Sequence, residues 1–382
     1  MYWSFLGIVT FALAVLSVLK PSISNRLSLI SMVVIGGCFI DGYFNGIDWV
    51  NYISVYEKNT TLIDFIKSYE LLFASSFYLL KGTIGEFYYS VIILYIISFT
   101  LLYRYSQKIS DYFCSNNAVF LFLFIFLNGI DLINDQIRQF IAVIFSINAF
   151  YYMLNLKKYR FFAFSIMAIL FHYSAILVIL VYPVVRLSKL KVLIIGGVTA
   201  LSIIFLTLYP SLAINLLSDL GNPGAIVSSK LSAYFEKFSF HLGSLIFIDV
   251  IVILSYIIRS RYYNVNERYL WSGCFLAACL HVSFYFLPIL QRFNPYLYLF
   301  YCILFSYYFS HIKRYVSLYS LIVFFSVLAI LISVNIGYFT DPSRPREYKG
   351  YFIDYIDGSY SIENDKIKRC NEFLTDVPFC RW

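Results

Sequence analysis

Charge is scarce in this chain: Asp, Glu, Lys and Arg make up 13% of its 382 residues, 60% are hydrophobic, and mean hydropathy is +0.75. A soluble domain carries about 25% charged residues, so the composition excludes one and implies an all-α polytopic membrane protein. Zinc-spaced cysteine pairs are also lacking. Of seven cysteines, Cys38, Cys274, Cys279 and Cys302 lie inside apolar runs as core residues. Cys370 and Cys380 sit ten residues apart in the polar tail, where an oxidising compartment would let them pair. No Asp-x-Asp stands at a loop, so neither a metal nor a cofactor is expected. The first apolar run lacks a basic leader and a small-residue cleavage site, so no cleavable signal is expected. The net charge of +8 does not point to nucleic acid, because the basic residues cluster in short loops between apolar runs.

What the chain has in quantity is apolar runs, with 36 Tyr and 39 Phe to form interfacial belts and packing, and to stack on sugar rings beside polar loops. The runs Tyr2–Leu19, Leu27–Phe44, Tyr88–Tyr103, Ala118–Ile130 and Gln136–Leu156 read as the first five spans. Val192–Tyr209, Ser244–Ile258, Tyr269–Leu287, Asn294–Ser310 and Val316–Ile336 follow, for about ten in all. Residues 1–336 form one membrane domain with outer loops 45–87 and 210–243, and 337–382 form a polar extracytoplasmic tail. Basic loops face the cytoplasm, and this parity holds throughout only if Phe161–Val185 begins and ends on the same side. That segment is therefore expected to be broken or re-entrant around His172, since two full spans need about 40 residues.

The outward-facing polar residues gather chemistry. Asn134-Asp135-Gln136-Ile137-Arg138-Gln139 falls between two apolar runs, and Asp131, Asp135 and Arg138 are four and three apart, sharing a helix face. Two readings stay open: a water-filled chamber, or a helix cap with Arg138 snorkelling to the interface. The first outer loop adds Asp48 and Tyr52, four apart, and Glu70 opens an apolar run, Leu71–Leu80, of a length suited to an interfacial helix. The later loop offers Lys230, Tyr234, Lys237 and His241, and Arg292 stands at a helix start.

The order Gly46-x-Asp48-x-x-x-Tyr52, Arg138-Gln139-x-x-Ala142, Phe171-His172-x-Ser174-Ala175, then Arg292 resembles the EpsG family over residues 48 to 296. Those are Wzy-like polymerases of bacterial exopolysaccharide, capsule or O-antigen synthesis. The resemblance implies a membrane glycosyltransferase of GT-C-like architecture in the bacterial cytoplasmic membrane, with its active side extracytoplasmic. Its substrate would be an undecaprenyl-diphosphate-linked oligosaccharide in the lipid bilayer, with a chain-length regulator as a further partner. In such a reaction Arg138, Gln139, Arg292, Tyr52, Glu70, Lys230 and Tyr234 would hold diphosphate or glycan. Asp48, Asp135 and His172 are the candidates for a general base, and the sequence does not choose among them. A lipid-oligosaccharide flippase and a membrane acyltransferase are the alternatives. The first usually shows repeats with broken helices in both halves, and the second draws its donor from the cytoplasm.

The topology is testable by labelling from outside the cell. Cysteines placed at Asn59 and Ser228 should be marked, and those at Lys158 and Lys189 should not. Outside labelling at Lys189 would make 161–185 an ordinary span and invert everything after it.

Overall fold

The computed structural model of the protein describes residues 2–46, 48–209, 211, 214, 245–262, 264–285, 288–311 and 350–373. The expected span Val316–Ile336 lies outside them, as do Lys230, Tyr234, Lys237 and His241. Every regular element among the described residues is helical. Pro21–Asp41, Phe87–Phe113, Ile137–Leu154 and Lys189–Leu208 each have the length and composition to cross a bilayer. The protein is thus a helical, multi-pass membrane protein. Its chain divides into two compact units, Met1–Ile176 with Asp341–Trp382, and Leu177–Thr340.

In the first unit, α1 (Tyr2–Leu19) and α2 (Ser24–Asp41) pack on each other and on the helix Asn117–Asn134. Asn116 joins the three: its Oδ1 accepts from Ser17 Oγ at 2.9 Å and from Ala118 N at 2.9 Å, and its Nδ2 donates to Ser24 Oγ at 3.0 Å. Residues 45–87, expected as a loop with an interfacial helix over Leu71–Leu80, fold into α3 (Trp49–Lys58), α4 (Leu62–Ser68) and α5 (Leu71–Thr83), the last being the expected helix. The side chain of Thr61 caps α4, and Lys81 caps the last carbonyls of α3 through Tyr56, Glu57 and Asn59. At about 1.5 Å per residue α5 is about 20 Å long, too short to cross. It buries Phe73, Ala74 and Phe77 and exposes Leu71 and Leu79, as an interfacial helix does.

The helix α6 (Phe87–Phe113) runs past the expected end at Tyr103, so Arg104 and Lys108 ride on it rather than in a loop. Its end is set by Cys114, whose left-handed backbone (φ 53°) stops the helix. After α7 (Asn117–Asn134) comes α8 (Ile137–Leu154), the central helix of the unit, buried along nearly its whole length. It pairs with α9 (Lys158–Phe171) and packs against α6.

The segment 161–185 is broken where the sequence places the break. The helix α9 stops at Phe171, His172 is extended (φ −160°, ψ 123°), and the 3₁₀ turn Tyr173–Ala175 follows. Then come α10 (Ile176–Val181) and a second 3₁₀ turn, Tyr182–Arg186, with Pro183 at its start, where a missing N–H is tolerated.

The described tail residues, 350–373, are docked on this unit. Tyr351 N donates to Asp41 O at 2.8 Å, Phe352 N to Asp41 Oδ1 at 3.0 Å, and Tyr355 Oη to Glu86 Oε2 at 3.0 Å. The side chains of Cys370 and Cys380 lie outside the described residues.

In the second unit, α13 (Val265–Phe284) packs against α11 (Lys189–Leu208), α12 (Ile246–Ile258) and α14 (Asn294–Ser310). Gly273 lets the Phe300 ring lie directly on the α13 backbone, where a Cβ would collide with it. Leu190, Ile194, Val198, Leu201, Phe205 and Leu208 form an exposed stripe along α11, the face such a helix offers to lipid. Within the bundle, Asp249 accepts from His281 Nδ1 at 2.6 Å and from Tyr301 Oη at 2.6 Å, and His281 Nε2 meets Tyr298 Oη at 2.7 Å. This buried network ties α12, α13 and α14 together at one end. At the other end Glu267 binds Arg259 and accepts from Tyr308 Oη at 2.7 Å.

Removing one partner from such a buried pair costs about 3–5 kcal/mol, because the other is left unpaired in an apolar bundle. Asp249→Ala should therefore lower the yield of monodisperse protein in detergent several-fold. An unchanged yield would mean the network contributes little to folding.

Candidate functional site

Three helix ends of the first unit converge on one carboxylate. Glu70 is the N-cap residue of α5, Arg138 is the second residue of α8, and His172 is the C-cap residue of α9. Arg138 Nη1 lies 2.7 Å from Glu70 Oε2, and His172 Nδ1 lies 2.8 Å from Glu70 Oε1, so each oxygen is taken by a different partner. The Glu70 side chain is 4% exposed, that of His172 16% and that of Arg138 26%: the carboxylate is enclosed while both partners reach the surface. The guanidinium is also held by rings, with Cζ 4.9 Å from the Tyr69 centroid and Nε 3.4 Å from Tyr52 Oη.

The electrostatics explain why the group stays together. A cation in the first turn of α8 opposes the positive end of the helix dipole, so Arg138 needs an anion close by. Glu70 supplies it, and its own place at the start of α5 favours negative charge. Burial alone would raise the Glu70 carboxyl, but the His172 hydrogen bond and the Arg138 charge outweigh it and bring it down to about 2. Burial pushes the Tyr52 hydroxyl up to about 12 against the pull of Arg138, so it stays neutral and donates or accepts without ionising.

Of the two readings of the Asn134–Gln139 stretch, the cap with a snorkelling arginine is not the one seen. The N-cap of α8 is Gln136, with no side-chain capping bond, and Arg138 turns to Glu70. Asp135, in the link between α7 and α8, accepts a long bond of 3.4 Å from Asp48 N. The Gly46 Cα lies against the Asp135 carboxylate and the Asn134 carbonyl, in space that a Cβ would occupy. The Gly46-x-Asp48 motif thus serves a close approach between the start of α3 and the α7–α8 link. Gln139 is 2% exposed within the helix packing. Arg292 is exposed on the 3₁₀ segment Pro288–Phe293 of the second unit. Lys230 and Tyr234 lie outside the described residues. Among the described residues no three His, Cys, Asp or Glu side chains gather as a metal site.

Sequence reading missed Tyr69, although its place beside Glu70 was a signal. It also missed Asp249 and His281, each a lone ionisable residue in an apolar run and for that reason worth pairing in a membrane protein.

A polytopic helical membrane protein whose broken helices bring an arginine, a carboxylate and a histidine together is the class that fold and site define. The chain matches the EpsG family over residues 4–355, and it belongs to that family. No curated protein and no solved structure matches it. Membership places the chain among membrane proteins of polysaccharide biosynthesis, with polymerase activity in general.

The depressed carboxyl of Glu70 has a signed consequence. Stability that the ionised carboxylate contributes is complete above its ordinary value of 4.5 and is lost as pH falls toward about 2. Glu70→Gln should melt below the native protein at pH 7, and the gap should narrow on acidification from pH 4.5 toward 2, as read by thermal melts in detergent. A gap that stays constant would mean the ion pair is not what Glu70 contributes.

Proposed function

We infer that this protein polymerises oligosaccharide repeat units carried on undecaprenyl diphosphate, at the outer face of the bacterial cytoplasmic membrane. The single observation that carries the reading is Arg138: a guanidinium at a helix amino terminus, fixed by Glu70, Tyr52 and Tyr69, with its side chain 26% exposed. In the reaction the growing glycan leaves its lipid diphosphate as a hydroxyl of the next lipid-linked unit attacks the anomeric carbon. The developing negative charge on the departing diphosphate needs fixed donors. A guanidinium offers a permanent charge and a planar fork, and the helix amino terminus adds its own N–H groups. With Glu70 neutralising the site in the resting state, Arg138 costs little while empty and turns its free donors to phosphate when the lipid arrives. Arg292, Lys230 and Tyr234 are proposed to contact glycan or diphosphate elsewhere on the outer surface. About ten spans, a GT-C-like architecture and a chain-length regulator as partner complete the reading.

The test is replacement of Arg138 by lysine in a strain lacking the native protein. Lysine keeps the charge but is a point charge on a flexible stem, without two parallel donors. Losing a charge-assisted bidentate contact in a dry site should cost about 3 kcal/mol, about a hundredfold in rate. Arg138→Lys and Arg138→Ala should both give surface glycan of single repeat units with normal protein level. Full-length polymer from Arg138→Lys would reduce Arg138 to an anchor. No surface glycan at all in the deletion strain would favour a flippase instead.

A further inference from the structure

Three residues, Asp48, Asp135 and His172, are open to the role of general base on sequence grounds, and the geometry separates them. Glu70 is ionised and can only accept hydrogen bonds, and Arg138 already fills its other oxygen. The 2.8 Å contact between Glu70 Oε1 and His172 Nδ1 therefore requires Nδ1 to carry the proton. A neutral imidazole with Nδ1 protonated has its lone pair on Nε2. His172 is the extended residue between α9 and a 3₁₀ turn, its ring is 16% exposed, and Nδ1 is the nitrogen turned inward to the carboxylate. Asp135, by contrast, is turned to the α3 start, where it accepts Asp48 N–H and abuts Gly46. Asp48 is exposed at the beginning of α3, where its backbone N–H donates to Asp135.

We propose that His172 Nε2 is the catalytic base that takes the proton from the attacking sugar hydroxyl, and that Glu70 is a positioning residue holding this base and Arg138 in one fixed array. The proposal rests on the polymerase reading and assigns the proton within it. The acceptor oxygen forms its bond to the anomeric carbon as the bond from that carbon to the diphosphate oxygen breaks. The electron pair of the broken bond leaves with the lipid diphosphate, beside Arg138. The hydroxyl proton passes to His172 Nε2, the resulting imidazolium is stabilised by the Glu70 carboxylate, and the proton is then released to water. Glu70 does not take it: both oxygens are engaged, and its carboxyl is held far too acidic to compete with an imidazole. The arrangement follows the logic by which a buried carboxylate fixes the tautomer of a basic histidine and steadies its charged form.

The experiment uses the full-length protein, purified and reconstituted with lipid-diphosphate-linked repeat units. Polymer formation by the native protein is the condition for the rest, and its absence overturns the polymerase reading before His172 is at issue. Given that activity, His172→Ala should lower kcat by about a hundredfold or more with KM for the lipid-linked unit within threefold, and added imidazole should recover part of kcat. Glu70→Gln presents an amide N–H or a weaker acceptor to Nδ1, so a fraction of the rings takes the other tautomer. Its kcat should fall and its rate should no longer follow the native pH profile. If His172 has only a structural role, the folded fraction of His172→Ala will turn over at the native kcat and imidazole will do nothing. That result, with folded protein verified by gel filtration, overturns the assignment while leaving the polymerase reading intact.

Discussion

The bond pair on Glu70 is the constraint from which the rest of the first unit can be understood. One enclosed carboxylate accepts from Arg138 on one oxygen and from His172 on the other, joining residues 68 and 102 positions away in the chain. Neither cation-forming side chain would rest comfortably in a membrane protein without it. A lone arginine opposing a helix dipole and a lone histidine at a helix break are each unfavourable, and shared use of one anion stabilises both. The broken helix at His172 and the short helix α5 make geometric sense in that light. The first helix ends and the second begins at the site, and so they deliver side chains to a place that continuous spans would have covered.

In the proposed reaction, this arrangement would separate two demands that a glycosyl transfer from lipid diphosphate makes. Departing diphosphate requires positive charge that is present beforehand and costs no reorganisation. The incoming hydroxyl requires a base that is neutral beforehand and tolerates charge afterwards. In that proposal Glu70 balances the Arg138 charge before the lipid binds and the His172 imidazolium after the proton has moved. The rings of Tyr52 and Tyr69 flank the guanidinium at distances typical of cation–π contact.

Much of the fold was legible in the sequence because hydropathy reports spans directly. The helices Tyr2–Leu19 and Asn294–Ser310 coincide with the runs read from composition, and the break at His172 followed from the sidedness of basic loops. Helix ends were less legible where the apolar run and the backbone stop at different places, as in α6, which continues ten residues past Tyr103 to Phe113. In the outer segment 45–87 the apolar run Leu71–Leu80 marks α5, but charges break up the hydropathy over α3 and α4 and hide them. Its helices are short and capped locally by Thr61 and Lys81, signals of a few residues each. The site was legible as a set of candidates and not as an array: Tyr52, Glu70, Arg138 and His172 were all singled out, but no local pattern says which carboxylate meets which base. That is decided by how α5, α8 and α9 pack, and the same holds for Asp249 with His281, which lie 32 residues apart on different helices.

The account's central claim is that the protein itself joins lipid-linked repeat units and releases the lipid diphosphate from one of them at each joining. The most direct measurement is to reconstitute the purified protein in liposomes with a single lipid-diphosphate-linked repeat unit and follow both products by mass spectrometry. A polymerase should give a ladder of longer glycans on one lipid carrier, with one undecaprenyl diphosphate released for each unit added. Repeat units that cross the bilayer unjoined, or a ladder formed without release of lipid diphosphate, would contradict it.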